Sequence, residues 1–236
     1  MNLLLISNST NPGEAYLDYP KQQIAAFLQQ RNVTKVLFIP YAGVGISFDE
    51  YTAKVQERFA GFNILVGGIH TFTDPAAAVA EAEAIVVGGG NTFHLLKLLY
   101  DNGLVGLISK RVREGMPYIG WSAGSNVACP TICTTNDMPI VQPPSFKALN
   151  LVPFQINPHY LDVHPAGHGG ETREQRIQEY GVANPGMYVT GLREGSMFLV
   201  ENGGMSLVGP HTVRVFKHGQ ETQELAPGAP FGFLLQ

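Results

Sequence analysis

Gly120-Trp121-Ser122-Ala123-Gly124 places a serine between two glycines, directly after the apolar residues Tyr118-Ile119. A strand that turns sharply into a helix lifts such a hydroxyl clear of the sheet, and flanking glycines let neighbouring backbone pass without a Cβ clash. The chemistry this arrangement serves is nucleophilic attack by Ser122, with free N–H groups of the following helix facing the reacting centre. As five letters the pattern is weak, and a plain helix start with Ser122 as its N-cap would read the same. A second loop, Gly88-Gly89-Gly90-Asn91-Thr92, follows the apolar run Ile85-Val86-Val87. It fits neither G-x-x-x-x-G-K-[ST] nor G-x-G-x-x-G, so it suits an oxyanion better than a nucleotide phosphate. The expected donors are the backbone N–H groups of Gly90 and Ala123.

A serine nucleophile needs a base, and the chain has seven histidines. His159, in Ile156-Asn157-Pro158-His159-Tyr160, follows a short apolar run at a plausible strand end and is the leading candidate. His70 ends a strand, His94 has a helical position just after the glycine loop, and His211 and His218 sit among late hairpins. His164 and His168 with Asp162 resemble a metal cluster, but a Gly/Pro-rich loop with no evident supporting shell argues for no metal. The acid that orients the base is best sought at Glu194, in the turn Gly191-Leu192-Arg193-Glu194-Gly195-Ser196 between two expected strands. With His159 preceding Glu194, the chain order departs from the nucleophile, acid, histidine order of an α/β-hydrolase.

The elements that must position these residues alternate in period. Short apolar runs at Leu3–Ile6, Val36–Ile39, Asn63–Ile69, Ile85–Val87 and Tyr118–Trp121 read as strands. Between them, helices are expected over Glu14–Gln30, Phe48–Phe59, the alanine-rich stretch after Asp74-Pro75, Thr92–Tyr100 and Leu104–Glu114. Buried strands alternating with helices define an α/β fold, a mostly parallel, doubly wound sheet with helices on both faces. Residues 138–170 read as irregular, and Glu171–Tyr180 as a short helix. Strands near 187–192, 196–200, 205–208 and 212–217, with turns at Asn202-Gly203 and His218-Gly219, predict C-terminal antiparallel hairpins. No linker or repeat interrupts residues 1–236, so a single α/β hydrolytic domain is expected.

Composition narrows the class. Of 236 residues 44% are hydrophobic and only 14% charged, with 27 Gly and 16 Pro, which implies many tight turns and much buried surface, with room for a homodimer interface. A net charge of −4 without a basic run leaves no footprint for nucleic acid or a membrane surface. Cys129 and Cys133 fit neither a disulfide framework nor a zinc site and are expected to be reduced and buried. The N-terminus lacks a basic segment and its apolar run is short for a signal peptide, so a cytoplasmic location is expected.

Ile119–Gly124, preceded by Val87-Gly88-Gly89-Gly90-Asn91-Thr92-Phe93, resembles the peptidase E family, the cytoplasmic α-aspartyl dipeptidases. Leu5–Thr10, Thr134–Ile140, Gln155–His159 and Gly170–Ile177 extend the resemblance in order from residue 2 to about 217. It implies a sheet like that of class I glutamine amidotransferases, with serine in place of cysteine at the elbow. It also implies a Ser–His–Glu triad on Ser122, His159 and Glu194, small acidic dipeptides with N-terminal aspartate as substrates, and no cofactor. A cation for the substrate carboxylate is then required, with Arg173 the first candidate and Arg193 the next. Ser125 stands where a second alanine is expected and His94 where glutamine is, and the tail beyond Lys217 departs from the pattern. The rival readings are a cyanophycinase-like hydrolase of β-aspartyl-arginine and a non-catalytic binder of acidic metabolites.

Overall fold

The structure, a computed structural model, describes residues 1–163, 167 and 169–236. Five parallel strands form the centre of the larger sheet: β1 (Leu3–Ile6), β2 (Lys35–Ile39), β3 (Leu65–Gly68), β4 (Ile85–Val87) and β5 (Tyr118–Trp121). An antiparallel hairpin, β8 (Met197–Glu201) and β9 (Gly204–Val208), joins β1 and turns at Asn202-Gly203. The order is β3-β2-β4-β5-β1-β8-β9.

Alternation along each strand divides the core into two layers. Leu4 and Ile6 of β1 pack with Phe38, Val86, Ile119 and Trp121 against α1 (Lys21–Gln29) and α2 (Phe48–Ala60), through Ile24, Phe27, Val55 and Phe59. Leu3 and Leu5 face the other way with Ile39, Val87 and Tyr118. They lie against α3 (Pro75–Glu81), α4 (Thr92–Asp101) and α5 (Leu104–Arg113). Each fully buried Leu, Ile or Val contributes about 1.5–3 kcal/mol, and a one-residue slip would send every side chain to the wrong layer. The pairing Leu5↔Gly120 and Val87↔Gly120 is thereby fixed, and with it the place where β5 ends.

A second sheet, ordered β11-β10-β7-β6, holds β6 (Gln155–Asn157), β7 (Val189–Leu192), β10 (Val213–Phe216) and β11 (Gln223–Leu225). β6 and β7 are parallel, with α7 (Arg173–Ala183) between them in the chain. The expected late strands are therefore shared between two sheets, and only β8–β9 and β10–β11 are hairpins.

Three expectations are corrected. The helix expected from Glu14 begins only at Lys21, because Leu17 has φ +52° and Pro20, which offers no N–H, occupies the N-cap. The helix expected after the elbow is a single turn, α6 (Ala123–Asn126). Cys133 is exposed, while Cys129 is buried and its thiol is pushed up to about 12 by burial, partly offset by the Ile156 N–H. In the native protein one thiol, Cys133, should react with a disulfide reagent at neutral pH, and the second only after denaturation. Rapid reaction of both in the folded state would contradict this burial.

Candidate active site

Ser122 occupies φ +53°, ψ −112°, a sparsely populated conformation that costs of order 1–3 kcal/mol. The surrounding glycines explain how it is enforced. A Cβ on Gly120 would sit 2.3 Å from the Gly124 carbonyl oxygen, and one on Gly124 would sit 2.2 Å from the Val87 oxygen. The chain thus crosses itself and β4 with no space for side chains. Ser122 stands at the N-cap position of α6, but its side chain makes no capping bond, so the hydroxyl is left to the site. Its Oγ lies 2.9 Å from His159 Nε2, and His159 Nδ1 lies 2.5 Å from Glu194 Oε1. Because a carboxylate only accepts, Nδ1 carries the proton and Nε2 is left to accept from the serine hydroxyl. The arrangement can deprotonate Ser122 as it attacks and hold the resulting imidazolium beside an anion.

The three residues come from the ends of three strands in two sheets. Ser122 follows β5, His159 follows β6, and Glu194 follows β7. The end of β1 joins them. Ser7 Oγ accepts the His159 N–H at 2.9 Å and donates to the Leu192 carbonyl at 2.8 Å. Asn8 Oδ1 accepts the Gly195 N–H at 2.9 Å and the Tyr19 hydroxyl at 2.7 Å. These roles were hidden in the sequence, where Ser7-Asn8-Ser9-Thr10 reads as a turn; the signal was two polar residues directly after a fully apolar strand.

The second glycine loop reaches the same place. A Cβ on Gly89 would lie 3.0 Å from Ser122 Cβ, and Gly90 has φ +133° with the Ala42 carbonyl where a side chain would be. Among the described residues, neither the Gly90 N–H nor the Ala123 N–H donates a hydrogen bond. His94 does not line the cleft over Ser122, and its Nδ1 lies 2.6 Å from the Tyr41 carbonyl oxygen. Ser125, fully buried, sets its hydroxyl between the carbonyls of Ile6 and Gly120, at 2.7 and 2.8 Å, and so ties β1 to β5 below the elbow.

A cleft of about 210 Å³ opens over Ser122 and His159, lined also by Thr92, Asn136, Asp137 and Arg173. The Arg173 guanidinium donates to Asn136 Oδ1 and has no carboxylate partner among the described residues. Burial draws its pKa below the usual guanidinium value. Arg193, the second candidate, is occupied. It forms a two-pronged pair with Asp162 at 2.6 and 2.7 Å and a third contact with Glu224 at 2.5 Å. Asp162 is held below its ordinary pKa by that hydrogen bond, so it serves Arg193. His164 and His168, weighed with it as metal ligands, lie outside the described residues.

Asp137, within the string Thr134–Ile140, also lines the cleft, which its sequence context does not signal. One of its oxygens, Oδ2, accepts from the Thr92 N–H at 2.7 Å, the Thr92 hydroxyl at 2.6 Å and the Thr135 hydroxyl at 3.0 Å. These bonds dock residues 135–137 on the first turn of α4 and leave the second carboxylate oxygen without a protein donor among the described residues.

Known proteins carry the same architecture. Over 97% of this chain and 95% of the other, the fold matches the crystal structure of a peptidase from an acI-B1 actinobacterium, with a TM-score of 0.72 at 15% identity. A peptidase E candidate from Listeria monocytogenes matches over 89% and 98% of the two chains, with a TM-score of 0.61 at 23% identity. The chain is 52% identical to peptidase E of Escherichia coli over 98% of its length and all of that protein. It is 50% identical to peptidase E of Nostoc sp. over 99% and 96%. Most of the tail beyond Lys217 therefore lies within the aligned region. A family model described as Peptidase family S51 matches residues 3–208. Fold and relatives together define a serine peptidase. The chain belongs to peptidase family S51. Among the described residues, no helix is long and apolar enough to cross a membrane.

The Ser7 junction makes a direct prediction. Ser7→Ala leaves the His159 N–H unpaired and should cost about 1–3 kcal/mol in urea unfolding. Modification of Ser122 by a fluorophosphonate should slow by roughly tenfold or more as the imidazole loses its anchor. Unchanged stability and labelling rate would show that the base is positioned by other contacts.

Proposed function

We propose that this protein is a dipeptidase that hydrolyses Asp-Xaa through an acyl-enzyme. The observation that carries the reading is the pairing of a nucleophile-base-acid relay with a small cleft that holds, besides the relay's own residues, one cation and one anion, Arg173 and Asp137. A dipeptide with N-terminal aspartate presents the complementary pair, a β-carboxylate and an α-ammonium, on one residue. Arg173 receives the carboxylate and the unoccupied oxygen of Asp137 receives the ammonium.

Ser122 attacks the peptide carbonyl as His159 takes its proton, forming the Oγ–C bond. The oxyanion is stabilised by the N–H groups of Gly90 and Ala123, worth about 2.7–4 kcal/mol per donor where one such donor has been removed from another serine peptidase. His159 then protonates the leaving nitrogen, the C–N bond breaks, and the Xaa amine departs. A water attacks the aspartyl ester by the same route, with His159 as base, and free aspartate is released with Ser122 restored. Glu194 holds the imidazole in its working tautomer and offsets its charge in both halves. Each step is supplied by the chain's own residues.

Amine release should be measured from Asp-Leu, Leu-Leu and β-Asp-Arg, with Ser122→Ala alongside. Cleavage of Asp-Leu alone is expected, falling by more than roughly a thousandfold in the variant. Preferential cleavage of β-Asp-Arg would move the protein to cyanophycinase-like chemistry, and turnover of nothing would favour a binder of acidic metabolites.

The two charges can be separated with a modified substrate. Arg173→Met should lower kcat/KM for Asp-Leu by about a hundredfold. N-acetylation of Asp-Leu should be heavily penalised by the wild type and far less so by Asp137→Asn. An undiminished acetylation penalty in Asp137→Asn would remove that residue from ammonium recognition.

A further inference from the structure

Arg173 lines the cleft from the first turn of α7, and little apolar surface seats that end of the helix. The buried residues of α7 are Ile177 and Gly181, about one and two turns beyond Arg173. The capping box of Thr172 and Gln175 stabilises the helix start but ties it only to itself. Among the described residues, two side-chain contacts join this first turn to the rest of the molecule. One is Arg173 to Asn136 in the cleft, and the other is Glu174 to Arg214.

Arg214 is placed to act as a clamp. It belongs to β10, where Val213 and Val215 on either side point into the core, so its side chain leaves the opposite face. Its cross-strand neighbour on β7 is Gly191, and a Cβ there would sit 2.5 Å from the Tyr160 ring. The missing side chain thus admits Tyr160, the residue after the base His159. Arg214 donates to the Tyr160 hydroxyl at 3.2 Å and grips the Glu174 carboxylate with both Nη atoms, at 2.7 and 3.2 Å. Its Nε lies 3.5 Å from Glu224, a carboxylate shared with Arg193. One guanidinium therefore joins the neighbour of the catalytic base to the neighbour of the substrate cation. Neither Arg214 nor Glu174 is among the described residues that line the cleft.

We propose that the Arg214–Glu174 pair sets the reach of Arg173, and so the length of acidic side chain that the site accepts. The inference rests on the reading above in which Arg173 receives the substrate carboxylate. A cation alone separates an acid from its amide. Only a cation held at a fixed distance from Ser122 separates aspartate from glutamate, which differ by one methylene. A two-pronged contact between guanidinium and carboxylate fixes orientation as well as distance. With the pair broken, the first turn of α7 keeps the Asn136 contact alone, and Arg173 is free to withdraw and meet the longer side chain. Arg214 and Glu174 are positioning residues that act through Arg173 without touching substrate.

The test compares kcat/KM for Asp-Leu, Glu-Leu and Asn-Leu in wild type, Glu174→Ala and Arg214→Lys. The rate of Ser122 modification by a fluorophosphonate and the melting temperature are read alongside. In the wild type Asp-Leu should exceed Glu-Leu by about tenfold or more, the order of discrimination that one methylene gives. Both variants should shrink that ratio by about fivefold or more, through a higher KM for Asp-Leu, while labelling stays within about twofold of wild type. Asp-Leu should remain preferred over Asn-Leu in both. The paired side chains are 22% and 32% exposed, so little loss of melting temperature is expected. An Asp-to-Glu ratio equal in wild type and both variants, or near unity in the wild type, overturns the clamp. Equal losses on Asp-Leu and Glu-Leu with slower labelling would make the pair a general support of the fold, and overturn it too. A wild type that takes Asn-Leu as readily as Asp-Leu would instead sink the reading of Arg173, and this inference with it.

Discussion

One buried hydroxyl joins the two halves of this molecule. Ser7 stands where β1 leaves the large sheet, donating to the end of β7 and accepting the backbone N–H of His159 beyond β6. Sheet packing alone would fix Ser122 relative to β1 and β4, and β6–β7 pairing alone would fix His159 relative to Glu194. The β1 end, with Asn8 holding Gly195, sets the second pair against the first, and Asn126 just beyond the elbow reinforces it by donating to the Ile156 carbonyl of β6 at 2.8 Å. A hydrogen bond in a dry junction contributes modestly when made and costs much more when left half-made, so this linkage is discriminating in geometry as well as stabilising.

The nucleophile depends on the same economy of space. Gly120, Gly124 and Gly90 each meet backbone where a side chain would begin, and the strained Ser122 is held by that crowding together with its own N–H, which donates to the Ile6 carbonyl at 3.0 Å. The strain is small against the burial of β1, β4 and β5, whose side chains are almost wholly withdrawn from water. A well-packed parallel sheet can therefore carry an unfavourable turn at its carboxyl edge, which is also where ligands bind in open α/β sheets.

Much of this was legible in the residues. Uninterrupted apolar runs such as Ile85-Val86-Val87 announce strands buried on both faces, and the glycines around Ser122 point to an elbow once the strand before them is read with them. His159 and Glu194 were legible as polar residues at strand ends. What periodicity does not carry is long-range pairing. Nothing local to Gln155–Asn157 says that it joins β7 in a separate sheet, so the late strands read as plain hairpins. Polar residues were the other blind spot. Arg193 and Arg173 look alike in sequence, and only the structure shows two carboxylates closing on one and leaving the other in the cleft. Ser7 reads as a turn residue and Asp137 has no legible role, because their partners lie 152 and 45 positions away.

The central claim is that Ser122, activated by His159, becomes covalently bonded to the aspartyl group. Rapid quenching of the enzyme with an aspartyl ester, followed by mass spectrometry of its peptides, observes that bond directly. One added aspartyl residue is expected on the peptide containing Ser122, formed faster than it is lost and absent from Ser122→Ala. An ester turned over without any adduct, at a rate Ser122→Ala retains, would contradict it.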